Sequence, residues 1–165
     1  GPGSSSHLPA ELFKIRTGTH ILHVPYKAAS PALVGLMAGE IDVMFSPITA
    51  AMSLIKTGKL RALGVTSLKR NALALDLPPI AETIPGFEFL IWQSLMAPTK
   101  TPPEILAKLN AAVNQTLVTL SIQEGMKTIG NEPHGTSLPG LTAFVNNYMH
   151  QIRDLVRVAG VKLEQ

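Results

Sequence analysis

The chain has 165 residues, 45% of them hydrophobic and 15% charged, which is enough to bury one ordinary core and too few for a large multidomain enzyme. It carries no cysteine, which excludes a disulfide framework, a thiolate zinc site and a cysteine nucleophile, and no apolar stretch in it has membrane-spanning length. Its 14 Lys and Arg exceed its 11 Asp and Glu, but the cations are strewn singly and only Lys69 and Arg70 adjoin, so nucleic acid is not an expected partner.

In chain order, short β-rich runs alternate with amphipathic ones, the pattern of parallel strands joined by helical crossovers and so of an α/β fold. Residues 1–6, Gly-Pro-Gly-Ser-Ser-Ser, read as a loop and in part an expression remnant. From about His7, the run Leu8, Glu11, Leu12, Phe13, Ile15 predicts a helix that Gly18 stops. Residues 19–26 predict a strand, after which Ser30 is placed to cap a helix with Pro31 at its first position, ending at Gly39. Residues 41–45 predict a second strand, and Ser46-Pro47-Ile48-Thr49 leads into a helix from Ala50 to about Thr57 that Gly58 closes. A third strand is expected over residues 60–66.

Pro78, Pro79, Pro85 and Gly86 then punctuate an irregular passage before a late strand over residues 87–97, which carries Trp92. Such proline density suggests a crossing between lobes. The rest reads as helical. Thr101-Pro102-Pro103-Glu104 is a capping box ahead of Ile105, Leu109, Val113 and Leu117, and Ser121 to Glu124 repeats the device for a shorter helix that Gly130 ends. Leu141, Phe144, Val145, Tyr148, Ile152, Leu155 and Val156 stripe a last long helix, terminated by Gly160.

Three places share one design, a small-residue loop ending in Ser or Thr just before a predicted helix: Gly3 to Ser6, Ala28 to Ser30, and Ser46 to Thr49. In an open parallel sheet such loops gather at the carboxyl ends of the strands, where free helix N–H groups and the positive dipole end favour a carboxylate or phosphate. The plainer alternative is that each hydroxyl only caps its own helix; three in succession favour a pocket. Catalytic and cofactor signatures are missing. Gly1-Pro2-Gly3 lacks both the third glycine and the preceding strand of a dinucleotide fingerprint, and no serine sits in a G-x-S-x-G elbow. His20 and His23 fall on opposite faces of a predicted strand, no metal-ligand spacing occurs, and Ser6-His7 adjacency does not aim an imidazole at a hydroxyl. Glu40 and Asp42 read as solvated or turn-capping, Lys27 as a surface lysine and Trp92 as core. These residues give no reason to expect a catalytic, cofactor or metal site.

The order of Gly3-Ser4-Ser5-Ser6-His7-Leu8, Glu11-Leu12-Phe13-Lys14, His23-Val24-Pro25-Tyr26-Lys27, Gly39-Glu40-Ile41-Asp42-Val43-Met44-Phe45 and Gly58-Lys59-Leu60-Arg61-Ala62-Leu63 resembles one family. It is similar to the Bug proteins, the TctC-type periplasmic receptors of tripartite tricarboxylate transporters. Leu77-Pro78-Pro79, Pro85-Gly86-Phe87-Glu88, Trp92, Ala97-Pro98 and Thr101-Pro102 continue the match over nearly the whole chain.

The resemblance implies a type II periplasmic-binding-protein lobe, from a two-lobed receptor that closes on a small carboxylate and hands it to transporter membrane subunits in the periplasm. Under it, residues 7–86 are one α/β lobe, and residues 87–165 are a return crossing strand with C-terminal helices belonging to an incomplete other lobe. It puts Gly3, Ser4 and Ser5, then Tyr26, Ala28, Ala29 and Ser30, then Ser46 and Thr49 at the cleft, on the junctions that the helix starts already single out. The chain departs from the family at Ala28-Ala29, where glycine is usual after the Tyr-Lys pair, which puts ligand identity in doubt. It also covers only about the C-terminal half of such a receptor. One cleft wall leaves a ligand wet, so weak binding by a monomer is expected, and uncovered helical stripes would allow a homodimer or segment exchange.

Overall fold

The computed structural model describes residues 1–161, and it holds six α-helices among them. The first, α1 (Leu8–Thr17), has proline in its opening turn, where a missing N–H leaves no helical bond unmade. It ends at Gly18, whose φ of 67° lets its N–H fold back onto the Lys14 carbonyl. Next come α2 (Ala29–Ala38), stopped by Gly39 in the same way, and α3 (Ile48–Lys56). A 3₁₀ turn at Ile80–Glu82 precedes α4 (Pro103–Leu117), α5 (Leu120–Thr128) and α6 (Leu138–Ala159).

The four segments expected as strands, residues 19–26, 41–45, 60–66 and 87–97, form no ladder. Among the described residues, the β-type pairings are two isolated bridges, parallel Val65–Pro79 and antiparallel Asn71–Ala74. The reason is visible at the first of them. Val65 N–H donates to Pro78 O at 3.0 Å and Ile80 N–H to Val65 O at 2.9 Å, but Pro78 and Pro79 have no N–H with which to carry the ladder further. Phe89 N–H reaches Thr66 O at 3.0 Å, so the pairing switches partner instead of extending. Apolar alternation selects a strand conformation, and only a run of facing donors completes it.

The described chain divides into two compact units, Gly1–Ile91 with residues 153–161, and Trp92–Ile152. In the first, Phe87 is fully buried (0% exposed) between Phe13 of α1 and Phe45, with ring centroids 6.3 and 6.5 Å away. Leu8, Ala32, Leu33, Ala51, Phe89 and Leu155 complete this core, and α2 packs on α3. In the second, Trp92 meets Phe144 and Tyr148 edge-on at 5.4 and 5.6 Å. There the Asn110 and Asn114 side chains both donate to Thr136 O, tying α4 to the approach to α6.

Candidate ligand-binding site

The loop before α1 is drawn tight by its own backbone. Gly3 sits at φ 75°, where a side chain would be strained. Ser4 N–H donates to Gly1 O at 3.2 Å, and the Ser4 hydroxyl accepts His7 N–H at 3.3 Å. Ser5 and Ser6 keep backbone N–H groups that bond to nothing among the described residues.

Two contacts bring the segment ending in Tyr26 against this loop. The Gly1 nitrogen donates to Tyr26 O at 3.2 Å, and the His23 ring stacks on that of His7 with 3.8 Å between centroids. The Tyr26 hydroxyl itself donates to Glu40 at 3.0 Å. That bond, more than the burial and the carboxylate charge that accompany it, raises the phenol above its ordinary range.

At the second junction the expected Ser30 cap is corrected. Ala28 is the cap residue, with φ −153° and ψ 169°, and no side chain caps α2. Its carbonyl already accepts Ala32 N–H, so the helix begins at Ala29 and Ser30 is its second residue. The third junction needs the same correction. Here α3 begins at Ile48, not Ala50, behind Pro47 and again without a side-chain cap; the Ser46 hydroxyl donates to Pro47 O at 3.2 Å and Thr49 is exposed within the first turn. The capping alternative therefore fails for Ser30, Ser46 and Thr49. The first amides of α2 and α3 are left without helical partners, as in any helix start. Phe45, immediately before Ser46, packs on Phe13 of α1 at 6.1 Å, which anchors this junction to the helix that carries the Gly3 loop.

Sequence reasoning missed what lies behind the loop. His7 and Glu11 are buried, each 7% exposed. Nε2 of His7 lies 3.1 Å from Glu11 Oε1, and Lys14 donates to both Glu11 oxygens at 2.8 and 2.9 Å. Burial alone would push the Glu11 carboxyl up, but the Lys14 hydrogen bonds and charge, with the His7 contact, outweigh it and hold the group below its usual value. His23 is pushed down, first by the covering of its ring and then by His7 beside it, with Glu11 partly opposing. The readable signal was the spacing His7, Glu11, Lys14, one helical face at i, i+4 and i+7. Among the described residues no group of three His, Asp or Glu is placed to hold a metal, and no helix is long and apolar enough to cross a membrane.

The family model for the tripartite tricarboxylate transporter family receptor, TctC, matches residues 1–161. The chain belongs to this receptor family. A Pseudomonas knackmussii relative, the UPF0065 protein in the clcB-clcD intergenic region, is 39% identical, with 94% of each chain covered. BugT of Bordetella pertussis is 32% identical over 98% of this chain and 50% of its own length. Among solved structures, an R. palustris protein with adipate matches at TM-score 0.82 and 35% identity, covering 96% of this chain and 53% of the other. Periplasmic binding protein BugD matches at 0.73 and 33%, covering 98% and 55%, and MatC from Rhodopseudomonas palustris with bound malate at 0.73 and 29%, covering 93% and 53%. The chain thus spans about half the length of BugT and of these structures. Its fold is that of the TctC-type periplasmic binding proteins, as a partial lobe.

Proposed function

We propose that this chain is the carboxylate-binding part of a periplasmic solute receptor, which presents a small dicarboxylate or related acid to the membrane subunits of a tripartite tricarboxylate-type transporter. The observation that carries the reading is the set of unbonded backbone N–H groups at Ser5 and Ser6 and at the starts of α2 and α3. Amides at a helix start complement a carboxylate without a counter-charged side chain. The adipate and malate held by two relatives are ligands of that class. Gly3, Ser4, Ser5, Tyr26, Ala28, Ala29, Ser30, Ser46 and Thr49 are the proposed contacts, and all lie in the first compact unit. The proposed role is binding, and the Ser4 hydroxyl is used there as an acceptor for the His7 backbone N–H.

Titration of labelled protein with adipate, malate and acetate, followed by amide chemical shifts, tests the reading. Adipate should move the amides of Ser5, Ser6, Ser30 and Thr49 at lower concentration than acetate. Shifts confined to other residues, or none at saturating adipate, would sink it. A second reading, a ligand-free module that pairs with another copy of itself, is favoured by Leu22 and Leu63, which are 87% and 69% exposed. Light scattering on the same sample separates the two, because that module would be a dimer at micromolar concentration and indifferent to adipate.

A further inference from the structure

We propose that His7 is a positioning residue for the ligand loop: its bare Nδ1 pins the Gly3 amide, and so fixes the backbone that presents the Ser5 and Ser6 N–H groups to an anion. The role rests on the carboxylate reading above and deepens it.

The tautomer follows from its two partners. Gly3 N–H donates to Nδ1 at 2.9 Å, so that nitrogen offers a lone pair. A neutral imidazole then carries its hydrogen on Nε2, and Nε2 faces Glu11 Oε1 at 3.1 Å. Glu11 is supplied with two Lys14 hydrogen bonds, which keep it an ionised acceptor for that hydrogen. The chain of contacts runs Lys14, Glu11, His7, Gly3. Its first three members sit on one rigid helical face or at its start, and the fourth is the loop.

Rotation of the ring is restrained at both nitrogens and on one face. Its two nitrogens are held at opposite ends, its face lies on His23 at 3.8 Å and 12° from parallel, and it is buried. His7 also stands at the cap position of α1 yet makes no side-chain capping bond to that helix's backbone. Its polar atoms serve the upstream loop and Glu11. A histidine that merely filled space would have no need to aim an acceptor at a backbone amide four residues back, at a glycine whose φ of 75° few other residues adopt.

The two amide replacements of histidine separate the two nitrogens. Asparagine sets its oxygen near the place of Nδ1 and does not reach Glu11, whereas glutamine reaches toward Glu11 and leaves Gly3 without an acceptor. The measurements are amide exchange at Gly3, and adipate affinity from the shifts of Ser5 and Ser6, in His7→Asn and His7→Gln. His7→Asn should keep Gly3 exchange within about threefold of wild type, and His7→Gln should speed it about tenfold, the size expected for one lost hydrogen bond. Adipate affinity should follow the same split. Equal exchange in both variants overturns the proposal. So does an imidazole nitrogen spectrum of the wild type with the hydrogen on Nδ1, a measurement that needs no variant to fold. If Gly3 divides the variants as stated while no form binds adipate, the grip of His7 on the loop stands and the carboxylate reading falls.

Discussion

The hydroxyl of Tyr26 lies over Gly35 of α2, on the spot that a Cβ would occupy, with the ring carbon Cζ 2.9 Å and a Glu40 oxygen 3.0 Å from that spot. Gly35→Ala therefore has to push the phenol off its Glu40 hydrogen bond, at a cost of about 1–2 kcal/mol for overpacking. In a Tyr26→Ala background the obstruction is gone. There, Gly35→Ala should stabilise by about 0.5–1 kcal/mol, because alanine is the better helix former. Urea unfolding of the double-mutant cycle reads the change of sign, and the same sign in both backgrounds would show that Tyr26 does not rest on this helix.

Glu11 makes stability depend on acid in one direction. Its folded pKa lies below the ordinary 4.5, so its contribution is complete above about that pH and is lost as pH falls through the lower, folded value. Glu11→Gln removes the charge that Lys14 and His7 face, and should cost about 1–2 kcal/mol near neutrality. The gap between wild type and variant should then narrow on going from about pH 5 to about pH 3. A gap that stays constant over that range would mean the carboxylate gains nothing from its partners.

His23 acts in the next window up, with the same sign. Its folded pKa is depressed from 6.5, so the unfolded chain takes up the proton first, and stability falls as pH drops below about 6.5 toward the folded value. Above that pH the group is neutral in both states and contributes no slope. His23→Phe keeps a flat ring against His7 and cannot titrate. Melting temperatures between about pH 7.5 and pH 5.5 should decline less steeply in the variant; parallel curves would remove His23 from the account.

Helix ends were the most legible part of this sequence. Gly18, Gly39, Gly58, Gly130 and Gly160 were each read as a stop, and all have φ between 64° and 75°, because a left-handed residue is a local property that one glycine announces. Starts were less legible. Ser30 and the box at Thr101 looked like caps, yet Ala28 and Pro102 hold those positions without a side-chain bond, since several residues near a helix start can take the extended backbone that a cap needs. The alternation named the α/β class and motifs such as His23 to Lys27 carried the resemblance to the receptor family, while the strands that the alternation implied went unladdered because pairing depends on distant donors, as at Pro78 and Pro79. His7, one of five histidines, was weighed only as the neighbour of Ser6. Its partners at Glu11 and Lys14 were in helical register, but the loop amide that gives the arrangement its meaning had no mark in the sequence.

The three junctions yield a prediction in which stability and binding part company. A serine or threonine that caps a helix costs about 1 kcal/mol when changed to alanine, and that was the plainer explanation of Ser30 and Thr49. Neither hydroxyl bonds to its helix here: α2 and α3 start behind Ala28 and Pro47 with no side-chain cap, and both side chains are exposed. Ser30→Ala and Thr49→Ala should accordingly stay within about 0.5 kcal/mol of wild type in urea unfolding. If their hydroxyls touch a carboxylate beside the helix amides, each alanine should instead weaken adipate several-fold, in line with one neutral hydrogen bond lost on binding. Val34→Ala, exposed on α2, serves as the control that alters neither quantity much. A loss of about 1 kcal/mol or more in both variants with adipate binding untouched would restore the capping explanation and confine these hydroxyls to the architecture of their helices.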